Sequence, residues 1–355
     1  MIQGTRYKSS RYRLTVKDVI RETNDAVSIV LEPPADARDR FKYSAGQYLT
    51  LRIPSPGDSA LARCYSLSSS PHADVEMAIT VKRTAGGYGS NWLCDNARPG
   101  LVIESLPPAG RFSPRNVDAD LVLVAGGSGI SPILSILKSA LHKGAGHIEL
   151  LYFSRHRSGI ILERVIADLL SEYPERLGVK HWISEIDGRI SCEALRELLK
   201  PLMERSSFLC GPDALIERVL KAANEVGFRS EDLFVEQFFS LNQSVDAFAN
   251  VGAAEQISLP RYSGALTASV TLAGEVVVLD WPSDVTLLDL LLSEGLPAPF
   301  SCKQGICSAC YGVLKSGKVF MKRSDGLDEQ ELKEGKVLAC QLLPISGGVE
   351  VNFDE

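Results

Sequence analysis

The stretch CKQGICSACYG, Cys302 to Gly312, places three cysteines within nine residues of a chain that has eight among its 355 residues. Such a group could form disulfides, bind zinc or hold an iron–sulfur cluster. The first residues lack the apolar segment of a secretory signal, so we expect a cytoplasmic location, in which disulfides are rare. The cysteines are therefore predicted to bind metal or to take part in catalysis.

A fourth cysteine completes a recognisable spacing. Cys302, Cys307, Cys310 and Cys340 are arranged as C-x4-C-x2-C-x29-C. This is the plant-type spacing for a [2Fe–2S] cluster, in which four thiolates bind two irons. Structural zinc usually takes its ligands from two separate C-x2-C pairs, whereas three ligands share one loop here. The spacing predicts a [2Fe–2S] cluster, with zinc as the alternative.

The charge of the chain is concentrated in the same region. Residues 264–355 contain 13 acidic and 7 basic side chains, whereas the first 263 residues contain 31 of each. An acidic module on a neutral body suggests docking to a basic partner and argues against nucleic-acid binding. The alternative is that the charge only keeps the module soluble. No apolar run approaches the ~20 residues that span a bilayer, so we expect no membrane segment.

Four regions differ in their patterns. Residues 7–114 contain short strands separated by Gly and Pro, which predicts an antiparallel β-barrel, with a sandwich as the alternative. Residues 117–239 alternate apolar strands with helices, which predicts an α/β domain with a doubly wound sheet of about five parallel strands. Residues 240–263 lack a sustained period and are predicted to be a linker. Residues 264–355, with two strands, an apolar helix, the cysteine loop and a last strand, are predicted to form an α+β module of β-grasp type.

A [2Fe–2S] cluster accepts one electron at a time, whereas a nicotinamide delivers two as a hydride, so a flavin site and a nicotinamide site are expected as well. RCYS lies on a predicted barrel strand, where Arg63 offers a cation for a diphosphate, Tyr65 an aromatic ring and Ser66 a hydroxyl for flavin N5. A helix is predicted after Gly89, with Ser90 as its N-cap, and its free N–H groups would attract the diphosphate. Taken alone, an Arg/Tyr pair on a strand is more often part of a surface ladder than a ligand-binding pair.

The segment AGGSGISP, residues 125–132, joins an apolar strand to a helix. Its glycines, Gly126, Gly127 and Gly129, are predicted to let a dinucleotide approach the backbone. The segment departs from the G-x-G-x-x-G fingerprint, so a simple tight turn is the alternative interpretation.

The end of the second strand of the α/β domain bears on the choice of nicotinamide. Ser154 and Arg155 stand where NAD-binding folds usually have an acidic residue for the ribose 2′-hydroxyl. A serine and an arginine suit the 2′-phosphate of NADPH, and the choice between NADH and NADPH stays open.

Together with GYGSNWL, PPAGRF and CGPDAL, these motifs make the first two domains resemble the ferredoxin–NADP reductase family, and the last ~90 residues resemble plant-type ferredoxin. The whole chain is similar to three-domain oxygenase reductases of the 3-ketosteroid 9α-hydroxylase reductase and phenylacetyl-CoA epoxidase reductase type. GYGSNWL is similar to the FAD-type segment of the family, which favours FAD over FMN.

The resemblance implies the site residues. It places Cys210 near the nicotinamide ring, and Glu236 and Phe238 close to the flavin, with Phe239 as a neighbouring alternative. The implied catalytic set is Ser66, Cys210, Glu236 and Phe238. The implied cofactor-binding residues are Arg63, Tyr65, Ser66, Val81, Lys82, Gly89 and Ser90 for the flavin, and Gly126, Gly127, Gly129, Ser131, Pro132, Ser154, Arg155, Cys210, Gly211 and Pro212 for the nicotinamide.

The function that the resemblance implies is an NAD(P)H:acceptor oxidoreductase. It would pass electrons from NAD(P)H through FAD and the cluster to a terminal oxygenase with a Rieske centre or, alternatively, a di-iron centre. We expect that oxygenase as the partner, no nucleic acid or membrane, and a monomeric chain. Two other functions stay open: a ferredoxin-type redox sensor, which would not need a hydride source, and a zinc-stabilised flavoenzyme that reduces a small molecule directly.

Overall fold

The structure is a computed structural model that describes residues 12–54, 60–110, 112–236, 266–272, 274–296, 298, 300, 305, 310–324, 327 and 329–354. The described residues belong to two compact units, one from Tyr12 to Glu236 and one from Leu266 to Asp354. The predicted linker 240–263, together with Phe238, Phe239, Cys302 and Cys307, lies outside the described residues.

The first unit begins with an antiparallel sheet that closes into a barrel, as predicted. In the part of the chain that the structure describes, six strands are ordered β4-β3-β6-β1-β2-β5. The two ends of the sheet meet where Leu67 and Ile79 form a bridge and where Ser68 N donates to Ala78 O at 2.9 Å. The strands are β1 (Tyr12–Thr23), β2 (Ala26–Glu32), β3 (Tyr48–Pro54), β4 (Ala60–Ser66), β5 (Met77–Lys82) and β6 (Val102–Ser105), with a 3-10 turn at Ala35–Phe41.

Helix α1 (Tyr88–Asn96) follows β5 and corrects one prediction. Its N-cap is Gly87, not Ser90. The hydroxyl of Ser90 instead accepts a hydrogen bond from Thr84 N at 3.1 Å, and the side chain of Asn91 donates to Thr84 O. These bonds fold the preceding loop against the first turn, so the helix begins before Ser90.

The α/β domain has the predicted parallel sheet. Its five strands, counted among the described residues, are ordered β11-β10-β7-β8-β9 and all run parallel. Every residue of β7 is buried, as expected for a strand covered on both faces. The elements are β7 (Leu121–Gly126), α2 (Ile130–Lys143), β8 (Ile148–Ser154), α3 (Glu163–Glu172), β9 (Leu177–Ile183), α4 (Ser184–Asp187), α5 (Cys192–Leu199), β10 (Ser206–Cys210), α6 (Asp213–Val226) and β11 (Leu233–Glu236), with 3-10 turns at Gly127–Gly129, Arg157–Gly159, Lys200–Leu202 and Ser230–Asp232.

Helix α3 begins three residues later than its apolar pattern predicts. The pattern starts at Ile160, but Leu162 adopts a left-handed conformation with φ of 60°, which cannot continue a helix. The hydroxyl of Tyr152 accepts a hydrogen bond from Ile161 N at 3.1 Å and lies 3.3 Å from Ile161 O. This buried contact holds Ile161 outside the helix.

Helix α2 joins the α/β domain to the barrel. Ser131, Ser135 and Ser139 lie four residues apart on one face of the helix, and all three are buried. Ser135 Oγ donates to Ser69 O at 2.6 Å, and Ser139 Oγ lies 2.7 Å from the hydroxyl of Ser70. The two domains also share one hydrophobic core, which contains Phe112 of the barrel side packed edge-on against Phe208 of β10. The barrel and the parallel sheet are therefore packed in one fixed orientation.

The second unit is a small α+β module, as predicted. Its larger sheet, within the residues described from 266 onward, is ordered β13-β12-β18-β14-β16, with β12 and β18 parallel. Helix α7 packs its leucines into the same core as Trp281 and Cys340. The elements are β12 (Thr267–Leu272), β13 (Glu275–Asp280), α7 (Leu287–Ser293), β14 (Tyr311–Ser316), β15 (Val319–Met321), α8 (Glu329–Lys333), β16 (Lys336–Leu338), a 3-10 turn at Ala339–Gln341, β17 (Leu342–Pro344) and β18 (Val349–Asn352).

Within the described part of the chain, no helix combines the length and the apolar character of a bilayer-spanning segment.

Candidate functional site

The order of the parallel sheet determines where a ligand can bind. β7 and β10 are neighbours in the sheet. From β7 the chain continues to β8 on one side of this pair, and from β10 it continues to β11 on the other side. In open α/β sheets, ligands bind at such a switch point, at the carboxyl ends of the strands. A cleft of about 1170 Å³ opens there, between the α/β domain and barrel strands β4 and β5.

Most of the predicted cofactor-binding residues meet in this cleft, although they come from distant positions in the sequence. Gly129, Pro132 and Cys210 instead are buried and are not among the lining residues; they lie in the 3-10 turn, in the first turn of α2 and at the end of β10. Their roles in binding stay predictions. The predicted residues that line the cleft are Arg63, Tyr65, Ser66, Val81, Lys82, Gly89, Ser90, Gly126, Gly127, Ser131, Ser154, Arg155, Gly211 and Pro212.

The cleft is strongly positive. Asp25 is the one carboxylate among the described lining residues, and it lies 3.5 Å from the ammonium of Lys82. A concave site with this balance of charge attracts anions such as the diphosphates of FAD and NAD(P). The arginines and lysines that line it are Arg63, Lys82, Arg83, Arg155, Arg189 and Arg218.

The barrel side of the cleft has the features that a flavin diphosphate requires. α1 starts against Arg63 and Tyr65: a Cβ added to Gly89 would lie 3.0 Å from Arg63 Cγ and 3.0 Å from Tyr65 Oη. The free N–H groups of a helix N-terminus and a guanidinium together bind phosphate. Burial raises the pKa of Tyr65, so its phenol stays neutral. The side chain of Val81 packs into the barrel core.

The glycine loop has a different explanation from the one predicted. A Cβ on Gly126 would lie 2.7 Å from Pro212 Cδ, and one on Gly129 would collide with the carbonyl oxygen of Cys210. These two glycines are thus required by the close approach of the turn after β10. Gly127 is different, because it has φ of +54° and open space beside its Cα. Of the three glycines, Gly127 is the one at which an added Cβ would meet open space.

The far end of the cleft contains a polar group that lacks a protein partner. Ser154 is 6% exposed, and its hydroxyl has no hydrogen-bond partner among the described residues. A buried hydroxyl without a partner is unfavourable unless a ligand or water supplies one. Arg155 lies next to it, and both fit the ribose end of a dinucleotide.

Sequence reasoning missed several residues of this end of the cleft. Arg189 and Arg218 line it, and Arg218 Nη1 donates to Ile190 O at 3.4 Å. Trp182 and His156 line it as well. The signal that could have indicated them is position, since Arg189 and His156 follow the carboxyl ends of parallel strands.

Three of the predicted catalytic residues come together around Ser66, which lines the cleft, whereas Cys210 and Glu236 are not among its lining residues. Ser66 Oγ donates to Glu236 Oε2 at 3.4 Å, and Cys210 pairs in register with Glu236 across β10 and β11. Loss of water around the carboxyl group raises the pKa of Glu236 to about 8, although the bond from Ser66 lowers it. Burial raises the pKa of the Cys210 thiol, and the nearby Glu236 raises it further by a smaller amount. Near neutral pH this corner holds a protonated carboxyl, a thiol and a hydroxyl.

The second unit contains the predicted metal-binding cysteines. Cys310 and Cys340 are buried, and Ala339 N donates to Cys310 O at 2.9 Å, which connects the two segments that carry them. Gly305, in the cysteine loop, has φ of +77°. Buried sulfurs from a loop and a separate turn fit a thiolate-bound cluster. Cys302 and Cys307 are outside the described residues.

Family comparisons agree with this division of the chain. Residues 13–113 match an oxidoreductase FAD-binding domain, residues 123–221 an oxidoreductase NAD-binding domain, and residues 270–344 a 2Fe-2S iron–sulfur cluster binding domain. These matches confirm the three predicted cofactor classes.

The chain is also similar to characterised proteins along its whole length. It is 44% identical to the ferredoxin reductase component of 3-ketosteroid-9-alpha-monooxygenase from Mycolicibacterium smegmatis, over 96% of this chain and 97% of that protein. It is 30% identical to one subunit of 1,2-phenylacetyl-CoA epoxidase from Escherichia coli, over 97% and 98% of the two chains. The fold is similar to that of phthalate dioxygenase reductase, with a TM-score of 0.58 and 22% identity, over 98% of this chain and 100% of that chain. The chain therefore belongs to the family of NAD(P)H-dependent oxygenase reductases that join an FAD-binding, an NAD-binding and a 2Fe-2S domain in one polypeptide.

Proposed function

We propose that this chain supplies electrons from NAD(P)H to a terminal oxygenase that contains a Rieske centre. The observation that carries the proposal is the corner at which Ser66, Cys210 and Glu236 meet beside a cationic cleft. Neither a redox sensor nor a small-molecule reductase accounts for this hydride-transfer corner together with a separate cluster module. The identity to the 3-ketosteroid-9-alpha-monooxygenase reductase supports a steroid oxygenase as the partner class.

The residues of the cleft have distinct roles in this proposal. When bound, FAD would supply the chemistry that connects a two-electron hydride donor with a one-electron acceptor. Arg63 and the first turn of α1 would bind the FAD diphosphate, and Tyr65 would pack against the flavin. Glu236 holds a proton that Ser66 can relay, and the neutral thiol of Cys210 keeps negative charge away from the nicotinamide.

The domain boundaries and the metal ligands are part of the proposal. The flavin domain spans 7–114, the nicotinamide domain 117–239 and the ferredoxin module 264–355, with the linker 240–263 between the last two. The family matches and the three sheets support these limits. The proposed ligands of the cluster are Cys302, Cys307, Cys310 and Cys340.

The first experiment distinguishes electron transfer through the cluster from electron transfer by the flavin alone. Cys307→Ser should reduce NAD(P)H-dependent reduction of cytochrome c by 100-fold or more, because this acceptor takes its electrons from the cluster. Ferricyanide accepts electrons from the flavin directly, so its reduction should change less than twofold. Both rates are measured with purified protein of known flavin and iron content.

Cys192→Ser is the matched control, because Cys192 lies in α5 of the nicotinamide domain. It should leave both rates unchanged. Equal loss of both activities in the Cys307→Ser variant would contradict the proposed order of carriers. An iron-free, zinc-containing wild-type protein would contradict the proposed function itself.

The cations at the far end of the cleft favour NADPH. Arg155, Arg189 and Arg218 line the same cleft as the buried hydroxyl of Ser154, beside which we place the 2′-phosphate. Arg155→Ala should lower kcat/KM for NADPH about tenfold and for NADH less than threefold, in steady-state ferricyanide assays. An exposed arginine elsewhere, Arg229→Ala, is the control. Equal effects on the two nucleotides would indicate that Arg155 does not contact the 2′-phosphate.

We further propose a location, an oligomeric state and a partner for the chain. The chain is a cytoplasmic monomer that binds neither nucleic acid nor membranes, and its acidic module docks on the oxygenase. Affinity capture with the purified chain, followed by metal analysis, distinguishes a Rieske oxygenase from the alternative, a di-iron oxygenase. Sedimentation velocity measures the oligomeric state.

A further inference from the structure

Gln341 is a buried polar residue directly beside a predicted cluster ligand. It is 7% exposed and lies in the same 3-10 turn as Cys340. Its side-chain amide nitrogen donates to Cys340 Sγ at 3.4 Å. A primary amide that points its N–H at sulfur can hydrogen-bond a thiolate more strongly than a thiol, because the thiolate carries a negative charge.

The position of Gln341 is fixed from two directions. Its backbone carbonyl accepts a hydrogen bond from Lys322 N at 2.9 Å, which anchors the turn to the end of β15. Its side chain packs against the backbone of Gly305: a Cβ added there would lie 2.7 Å from Gln341 Cγ and 3.2 Å from Gln341 Cδ. Gly305 belongs to the loop between Cys302 and Cys307. Gln341 therefore contacts both segments that supply the cysteines.

We propose that the Gln341 side-chain amide donates an N–H···S hydrogen bond to the cluster-bound thiolate of Cys340 and thereby raises the reduction potential of the cluster. This inference rests on the proposed assignment of Cys340 as a ligand. One-electron reduction adds negative charge to the cluster and its sulfurs. A hydrogen-bond donor stabilises the reduced form more than the oxidised form, and hydrogen bonds to sulfur are an established determinant of cluster potential.

A change in the potential of the cluster affects both electron transfers in which the cluster takes part. A cluster with a higher potential accepts electrons from the flavin more readily and leaves a smaller driving force for the transfer to the oxygenase. Gln341 is therefore a positioning residue that sets how the driving force is divided between the two transfers.

The test measures the potential of the cluster in the full-length protein. Gln341→Met keeps the length of the side chain but removes the donor, and Gln341→Glu replaces the donor by an acceptor. In redox titrations followed by electron paramagnetic resonance, Gln341→Met should disfavour reduction of the cluster about three- to tenfold, which corresponds to roughly 30 to 60 mV for one electron. Gln341→Glu should shift the potential further in the same direction. The flavin potential should not change in either variant.

Gln330→Met is the matched control, because Gln330 is an exposed glutamine of α8 in the same module, paired with Glu334. It should leave the cluster potential unchanged. Unchanged potentials in both Gln341 variants with full iron and sulfide content would overturn the inference. Loss of iron from both variants would also overturn it, because Gln341 would then be needed to hold the cluster. A wild-type protein without a cluster would instead refute the proposed function.

Discussion

At the scale of single residues, Glu236 has the most unusual environment among the proposed catalytic residues. Loss of water raises its pKa from an ordinary 4.5 to about 8, against the lowering effect of the bond from Ser66. The group is therefore protonated in the folded protein between these two values and ionised in the unfolded chain. The folded state loses stability as the pH rises from about 4.5 to about 8, since proton binding favours folding throughout that range.

The pH dependence of flavin reduction should report this ionisation. Below pH 8 the neutral carboxyl of Glu236 can hold a proton beside Ser66. Above pH 8 its negative charge would oppose the transfer of a hydride to the flavin. The rate of flavin reduction by NAD(P)H, measured by stopped flow, should fall with an apparent pKa near 8. Glu236→Gln should be about tenfold slower at pH 7, and its rate should not change near pH 8.

Glu231→Gln serves as the control for this experiment. Glu231 is an exposed carboxylate of the same segment, paired with Arg229. This variant should keep both the rate and the pH profile of the wild type. If Glu236→Gln retains the transition near pH 8, another group is responsible for it.

At the scale of elements, α2 has two functions. Its first turn follows the glycine loop, and its row of serines fixes the barrel. The hydroxyl of Ser131 lies 3.2 Å from Thr80 O of β5, next to Val81. The helix therefore determines how far the nicotinamide loop lies from the flavin-binding strand, and errors in its docking should change hydride transfer as well as stability.

Ser135 is the residue through which this docking can be tested. Its hydroxyl donates to Ser69 O and accepts from Gly46 N at 3.3 Å, and the residue is fully buried. Ser135→Ala leaves both backbone groups without this partner, which should cost about 1–3 kcal/mol in the free energy of unfolding. Urea unfolding of the first two domains within the full chain measures this loss.

Ser171→Ala on the exposed side of α3 is the comparison, and its effect should stay within about 0.5 kcal/mol. The flavin reduction rate should fall in Ser135→Ala at unchanged flavin content. A stability loss without any change in that rate would show that the serine row holds the domains together without setting the distance between them.

At the scale of the whole molecule, the uneven distribution of charge should control the encounter with the oxygenase. The residues from 264 onward carry the entire net charge of −6, while the rest of the chain is neutral. Electrostatic attraction between proteins is screened within about 10 Å at 0.1 M salt. The apparent second-order rate of electron transfer to the oxygenase should therefore fall several-fold between about 0.02 and 0.2 M NaCl.

Charge removal in the two units should have different effects on that rate. Asp284→Asn combined with Glu350→Gln removes two exposed charges from the acidic module. This variant should slow the transfer about two- to fivefold at low salt and reduce its dependence on salt. Asp168→Asn combined with Glu231→Gln, in the neutral body, should do neither. Equal effects of the two pairs would mean that the acidic module does not steer docking.

Much of the fold could be predicted because it depends on local pattern. The apolar run LVLVA predicts β7 as a strand buried on both faces, and the stretch ISPILSILKSALHK predicts a helix with the bounds that α2 has, Ile130–Lys143. Local pattern failed where a side-chain hydrogen bond from the segment before the helix prevailed: Tyr152 keeps Ile161 out of α3, and the backbone N–H of Thr84 donates to the Ser90 hydroxyl that was predicted to cap α1. In both places, a hydrogen bond with a residue six to nine positions away determines where the helix starts.

The sequence by itself determined the cofactor classes and the order of the domains, because cysteine spacing, glycine loops and strand periodicity are properties of short segments. Only the tertiary structure decided which residues share a site. Arg189 reaches the cleft because the strand order brings several carboxyl ends together, and Arg218 reaches it from α6, where its side chain donates to Ile190 O. No side chain fits at Gly126 or Gly129 because the turn after β10 lies against them. Gln341 reaches the Cys340 sulfur because the turn is anchored to β15. Contacts between distant segments depend on how the chain packs, and the pattern of a short segment does not predict that packing.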